Sequence, residues 1–304
     1  MNDHESLQNT AVLGFSDYQQ QGERLAAQLG IPYQSVEIHR FPDGESRVRL
    51  MDPPMHHLVV CRSLDRPHDK LIELLLAAQT SRELGVKQLT LVCPYLCYMR
   101  QDKAFESGEA VSQRIIGQFL SQLFDAIITV DPHLHRTSVL KDAVPAHQAL
   151  AISSAPLMGE FLKKTAHSPL LLGPDVESAQ WVKAIAGIGA LEYGIAQKQR
   201  LGDRHVNIEL PDMNYHGRQV VLVDDVVSTG HTVAETAHKL KTAGASEVCC
   251  LTTHALFAPG AEEELRTGGI DRIWSSDSIS HPSNILHLDR LLADAVLSTS
   301  FRHA

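Results

Sequence analysis

Six short β-branched runs alternate along this chain with segments of helical period, and that alternation restricts the fold more than any other feature. The runs are HHLVVCRS (56–63), QLTLVCPY (88–95), AIITVD (126–131), PLLLGPD (169–175), RQVVLVDD (218–225) and EVCCLTTHAL (247–256). Strands joined through helices pair side by side as βαβ crossovers, so the pattern predicts an α/β chain whose mainly parallel sheets are flanked by helices. Residues 69–84 set Leu71, Leu75 and Ala78 on one helical face and stop at Gly85. Residues 232–243 open on a Thr232-x-x-Glu235 capping box, set Val233, Ala237 and Leu240 on one face and stop at Gly244.

Two stretches, ELGVKQLTLV and TAGASEVCCL, lie about 160 residues apart, and each reads as a helix end, a glycine turn and a buried strand. Similar strands, LVVCRS and VVLVDD, precede them. Two halves on one βαβ pattern follow, either by duplication or because any two βαβ units share this patterning. The length of 304 residues agrees, at roughly 150 per domain. KDAVPAHQALAISSAPLM (141–158), with small residues and two prolines, marks the crossing between the halves.

Composition narrows the function classes. A hydrophobic fraction of 43% suits a globular chain and argues against disorder or a fibre. Lys plus Arg number 27 against 36 Asp plus Glu, so the net charge of −9 lacks the basic field of a general nucleic-acid binder. The 17 histidines make that charge move between pH 7 and 6. Cys61, Cys93, Cys97, Cys249 and Cys250 form no C-x-x-C pair and sit among apolar neighbours, as buried strand thiols do in a reducing cytoplasm. The opening MNDHESLQNT has no positive or apolar targeting region, and no apolar stretch approaches about 18 residues. The expectation is a cytoplasmic protein that engages neither membrane nor nucleic acid.

The segment from Val221 to Thr232 concentrates the chemistry. An apolar strand ends in two carboxylates, Asp224 and Asp225, and a small-residue loop then enters a helix. Backbone N–H groups and the hydroxyls of Ser228, Thr229 and Thr232 can converge on a phosphate there, helped by the helix N-terminus. Carboxylates repel phosphate, so Asp224 and Asp225 suit sugar hydroxyls or a metal; together the two features describe a sugar phosphate. The bland alternative is a βα corner with a solvated acidic pair. No G-x-x-x-x-G-K-[ST] occurs, and Gly187-Ile188-Gly189 lacks a third glycine because position 192 is Glu192, so neither standard nucleotide signature is present.

VVLVDDVVSTGHT resembles the phosphoribosyl-diphosphate (PRPP) binding motif shared by type I phosphoribosyltransferases and ribose-phosphate pyrophosphokinases. Arg40-Phe41-Pro42-Asp43-Gly44-Glu45, Tyr98-Met99-Arg100-Gln101-Asp102-Lys103, Gly108-Glu109-Ala110-Val111-Ser112 and Asp131-Pro132-His133 resemble, in order and spacing, segments of the pyrophosphokinases. A phosphoribosyltransferase leaves this amino-terminal half unexplained.

The resemblance implies two similar phosphoribosyltransferase-like domains. One is 1–149, with 289–304 packing back on it; the other is 150–288. It implies diphosphoryl transfer from ATP to the 1-hydroxyl of ribose 5-phosphate, giving PRPP and AMP. Ser228, Thr229, Gly230, His231 and Thr232 then hold the 5-phosphate, and Asp224 and Asp225 hold the ribose hydroxyls. Arg100, Gln101, Asp102 and His133 serve ATP, joined by Phe41, Asp43 and Glu45 from a neighbouring subunit of a homo-oligomer. Magnesium ligation falls to His133 and Asp175. Lys198 and Arg200, two residues apart in a segment that reads as a loop, close over the transferring group.

The residues themselves agree in part. FPDGE is a turn by composition, which puts Phe41, Asp43 and Glu45 on an exposed loop. His133 follows a buried strand at its carboxyl end, where open α/β sheets bind ligands. The sequence departs from the family pattern at Glu177-Ser178, where two glycines are usual, at His231 for a glycine, at Lys103 for an arginine and at Ser228 for an acidic residue. Ser228, FPDGE and GEAVS are nearer the archaeal-type branch. Two other readings remain beside the pyrophosphokinase: a catalytically silent regulatory paralogue and a type I phosphoribosyltransferase.

Overall fold

The structure is a computed structural model that describes residues 7, 9–51, 55–134, 139–164, 168–200 and 206–300, the side chains of 198–200, 206–207 and 300 excepted. The chain divides into two compact units, Met1–Ile152 with Leu288–Ala304, and Ser153–His287.

The first unit runs β1 (Thr10–Gly14), α1 (Gln19–Leu29), β2 (Tyr33–Arg40), β3 (Ser46–Leu50), β4 (His57–Cys61), α2 (Pro67–Glu83), β5 (Gln88–Val92), α3 (Ser112–Leu123), β6 (Ala126–Val130), the single turn α4 (Leu140–Ala143) and β7 (Gln148–Ile152). Its sheet has the order β3-β2-β1-β4-β5-β6-β7 and is parallel except for the β2–β3 hairpin. β1, β4 and β6 are buried at every position, which is why they read as unbroken apolar runs rather than alternating ones.

The second unit runs α5 (Ala155–Lys164), β8 (Leu170–Gly173), α6 (Ala179–Gly189), β9 (Tyr193–Ile195), β10 (Gln197–Arg200), β11 (Val206–Glu209), β12 (Gln219–Val227), α7 (His231–Thr242), β13 (Glu247–Ala255), α8 (Ala261–Thr267), β14 (Arg272–Ser276) and β15 (Asn284–Leu286). Six of its strands form a parallel sheet in the order β15-β14-β13-β12-β8-β9, and β10 pairs with β11 alone, antiparallel. Alternation along β12 divides the core: Val220 and Leu222 face one cluster with Val233, Ala237 and Leu240 of α7, while Val221 and Val223 face another with Val182 and Ile185 of α6. The chain then returns to the first unit through α9 (Asp289–Ser300), which packs on α1 and beside β5, β6 and β7.

The same local device closes corresponding corners of both units. After α2, Gly85 donates to Arg82 O and Val86 to Ser81 O; after α7, Gly244 donates to Lys241 O and Ala245 to Leu240 O. Each helix then sends a cation to an aspartate that also caps the next strand. Arg82 meets Asp125 Oδ2 at 2.7 Å, which accepts Leu89 N–H, and Lys241 meets Asp271 Oδ2 at 2.6 Å, which accepts Val248 N–H.

Three sequence expectations are corrected. The Thr232-x-x-Glu235 capping box gives way to Gly230 as N-cap, left-handed at φ 79°; a Cβ there would stand 3.1 Å from Leu265, so the sharp strand-to-helix corner itself requires glycine. On α2, Leu75 is only half-buried while Glu73 is wholly buried, because the helix turns a carboxylate inward. The expected loop at 197–200 is strand β10, paired antiparallel with β11; the remainder of that loop, 201–205, lies outside the described residues.

All five cysteines are buried, and burial pushes Cys97 and Cys249 up to about 12. Cys93 and Cys97 lie beyond the end of β5 rather than within a strand.

Candidate active site

In the second unit β8 leads through α6 to β9 on one side, and β12 leads through α7 to β13 on the other. The connections part between β8 and β12, and in open α/β sheets ligands bind at the carboxyl ends of strands where this happens. Asp175 follows β8 at that edge, and Asp224 and Asp225 lie near the end of β12.

Asp225 is buried, and its Oδ1 accepts the Val226 N–H at 2.9 Å. Part-buried Asp224 accepts the Asp225 N–H at 3.0 Å. Burial, and next the charges of Asp225 and Asp175, push the Asp224 carboxyl well above the usual carboxylate range. Carboxylates crowded in this way suit hydroxyl donors or a hard cation.

The loop after β12 is tied down by Phe257 N–H to Val227 O at 3.1 Å and Ala258 N–H to Ser228 O at 2.9 Å. Ser228 and Thr232 are half-buried, Thr229 and His231 exposed, and Gly230 buried. All five surround the N-terminus of α7, a ready anion site. His231, in the place of a glycine, sets its Nδ1 3.0 Å from Glu264 Oε1.

At Glu177-Ser178 the structure explains how the turn closes without glycine. Asp175 Oδ1 accepts Glu177 N–H at 3.0 Å and Ser178 N–H at 3.4 Å, and Ser178 Oγ donates to Asp175 O at 2.6 Å. Ser178 has φ −73° and ψ −10°, an ordinary right-handed conformation, so its side chain strains nothing. Lys198 and Arg200 occupy register positions opposite Ile208 and Val206.

In the first unit the remaining candidates leave the carboxyl ends of parallel strands. The Phe41–Glu45 turn follows β2, closed by Phe41 N–H to Glu45 O at 2.8 Å and Glu45 N–H to Asp43 Oδ1 at 3.1 Å. Phe41 is 42% exposed, with its ring edge-to-face on His39 at 4.8 Å, and Asp43 and Glu45 are exposed. Arg100, Gln101 and Asp102 follow β5; Gln101 O accepts Gln113 N–H at 3.2 Å, which fastens the segment to the start of α3. Arg100 is exposed, Gln101 and Asp102 half-buried, and Lys103 lies over the Phe105 ring at 4.9 Å. Half-buried His133 follows β6 beyond Asp131, whose φ is 37°. Arg62, Asp17 and Glu73, also at this edge, carried no recognisable motif; the readable signal was a glutamate inside the apolar run LIELLLAA.

Comparison with known proteins matches these two halves separately. The family model of the N-terminal domain of ribose phosphate pyrophosphokinase covers residues 10–123, and that of the phosphoribosyl transferase domain covers 141–283. A Methanopyrus kandleri protein named ribose-phosphate pyrophosphokinase is 34% identical over 95% of this chain and 99% of its own length. One of the same name from Saccharolobus solfataricus is 33% identical over 88% of this chain and 92% of its own. The crystal structure of phosphoribosylpyrophosphate synthetase from Mycobacterium smegmatis shares the fold, with a TM-score of 0.81 and 19% identity over 97% of this chain and all of that one. A phosphoribosyltransferase alone does not account for residues 10–123. With both halves matched in order and relatives aligned over nearly their whole length, the chain belongs to the ribose-phosphate pyrophosphokinase family.

Proposed function

We propose that this protein transfers the diphosphoryl group of ATP to the 1-hydroxyl of ribose 5-phosphate, giving PRPP and AMP. The observation that carries the reading is the Asp224–Asp225 pair beside the loop that enters α7, a polyol site next to a phosphate site at one sheet edge. Ser228, Thr229, Gly230, His231 and Thr232 hold the 5-phosphate, and Asp224 and Asp225 hold the ribose hydroxyls. The 1-hydroxyl oxygen attacks the β-phosphorus and releases its proton to solvent, the bond from that phosphorus to the α–β bridging oxygen breaks, and AMP leaves. Lys198 and Arg200 counter the charge that builds on the equatorial oxygens.

Arg100, Gln101, Asp102 and His133 serve ATP. In this reading Phe41, Asp43 and Glu45, on the turn after β2 and three strands, roughly 14 Å, from β5, complete an ATP pocket of a neighbouring chain in a homo-oligomer, as the family resemblance implies. Magnesium suits the donor set: Asp224 is crowded by Asp225 and Asp175, and this hard cation is satisfied by one or two carboxylates together with substrate phosphates. Asp175 would hold it at this edge, where once bound it would neutralise phosphate oxygens; the family resemblance assigns His133 to magnesium as well. No helix among the described residues is long and apolar enough to cross a membrane.

The test is incubation of the purified chain with ATP, Mg²⁺ and ribose 5-phosphate, followed by assay of AMP and PRPP. AMP and PRPP in equal amounts are expected. No AMP above a protein-free control refutes the reading, and PRPP consumption with a nucleobase instead would make the chain a phosphoribosyltransferase.

A further inference from the structure

The first unit has its own point where the strand connections part, between β1 and β4, and that place is filled by side chains. Gly14 of β1 pairs with Cys61, the last residue of β4, so Arg62 stands just past its strand, much as Asp224 stands near the end of β12 in the second unit. There the resemblance ends. Arg62 is 2% exposed; its Nη2 lies 3.1 Å from Asp17 Oδ1 and 2.6 Å from Glu73 Oε2, and its guanidinium lies 4.1 Å over the Phe15 ring. Lys70 reaches Asp17 at 2.9 Å and Asp65 at 2.7 Å. Where the second unit leaves carboxylates facing one another, the first supplies the cations from its own chain.

The second oxygen of Glu73 points to a use for this closed crevice. Glu73 Oε1 accepts from Arg40 Nη2 at 3.3 Å and from Ser46 Oγ at 3.1 Å. Arg40 ends β2, Ser46 begins β3, and the two are register partners. One buried carboxylate oxygen therefore grips both strands of the hairpin's last rung, immediately before Phe41 and immediately after Glu45. β3 is the outer edge of the sheet and half-exposed, so among the described residues no outer strand steadies the hairpin. Glu73 itself cannot swing away without costing the buried Arg62 its closest carboxylate, leaving it Asp17 alone as an ion-pair partner.

We infer that Glu73 is a positioning residue: anchored by Arg62, it clamps the base of the Phe41–Glu45 turn and presents that turn preorganised to the nucleotide. The link to ATP rests on the function proposed above; the clamp does not. Preorganisation of this kind lowers the ordering that binding must impose.

The test uses the full chain and the double variant Arg40→Met with Ser46→Ala, which cuts the ties to the hairpin while the buried Arg62–Glu73 pair stays intact. Amide hydrogen exchange over 41–45 should quicken by at least about fivefold, the effect of losing one of the two hydrogen bonds, and KM for ATP should rise by a similar factor. KM for ribose 5-phosphate should hold, while the melting temperature falls by a few degrees because the buried Glu73 Oε1 loses both donors. Ser46→Thr, which keeps the hydroxyl, should behave as the parent chain. Unchanged exchange in the double variant overturns the clamp whatever the chain catalyses. Quickened exchange with an unchanged KM for ATP in an active enzyme overturns its role in nucleotide binding, as does a parallel rise of both KM values. Absence of AMP from the parent chain refutes the proposed function instead, and hydrogen exchange still decides the clamp.

Discussion

Asp224 and Asp225 are locked in sequence as well as in space, since Asp224 Oδ1 accepts the Asp225 N–H at 3.0 Å and neither can turn away from the other without losing a hydrogen bond. Burial and the charges of Asp225 and Asp175 raise Asp224 well above its ordinary value. A carboxyl raised by folding stabilises the fold below its unfolded pKa, and that contribution is lost as pH rises through the folded value. At neutral pH the ligand-free site thus opposes folding.

Asp224→Asn should therefore melt a few degrees higher without ligand, roughly the effect of 1 kcal/mol in a domain of this size, while KM for ribose 5-phosphate rises about tenfold. Thermal melts and steady-state kinetics on the same preparation check both. An unchanged KM removes Asp224 from the sugar site.

Lys198 should show the opposite division. Its charge is needed mainly where negative charge develops, so Lys198→Ala should lower kcat by about 10² to 10³ with little change in ribose 5-phosphate binding. Equal turnover by variant and parent would take Lys198 out of the chemistry.

His57 carries a pH dependence unrelated to catalysis. Burial draws its imidazole down to about 4 from 6.5, against the opposing charge of Asp125, and its Nε2 lies 2.9 Å from Thr90 Oγ1. Between those values the unfolded chain binds a proton that the folded chain refuses, so stability falls as pH drops through that window, by on the order of 3 kcal/mol at its lower end. Urea midpoints at pH 7, 5 and 4 should decline less in His57→Gln than in the parent.

The strands were legible because parallel strands buried on both faces leave continuous apolar runs: 247–256 was expected where Glu247–Ala255 forms. The Asp224–Thr232 corner was legible as a candidate site because its parts are contiguous in sequence. What stayed hidden depends on residues brought together only by the sheet. Asp17, Arg62, Lys70 and Glu73 meet because β1 and β4 are neighbours, and the inward turn of Glu73 defeats the apolar face expected for α2. Thr232 was expected to cap α7 because side-chain capping is read from composition, whereas Gly230 stands there in a left-handed conformation that leaves no easy room for a Cβ beside Leu265 and Ala261.

The buried network offers a way to separate stability from positioning. Burial raises the Asp17 carboxyl, but Arg62 and then Lys70 more than offset this and hold it below the usual range, so its contribution is present at neutral pH and is lost as pH falls below about 4. Arg62→Met leaves Glu73 buried without its closest cation and should cost about 3–5 kcal/mol in urea unfolding. Arg62→Met with Glu73→Leu replaces the ion pair by apolar groups of similar bulk and should recover most of that loss, because a buried ion pair stabilises little beyond what well-packed apolar side chains supply. The recovered protein nevertheless lacks the carboxylate that grips Arg40 and Ser46, so its KM for ATP should stay high while its unfolding midpoint returns. A double variant as unstable as the single one would mean that the crevice tolerates only its own charges, and a recovered midpoint with a parental KM for ATP would reduce Glu73 to a partner for Arg62.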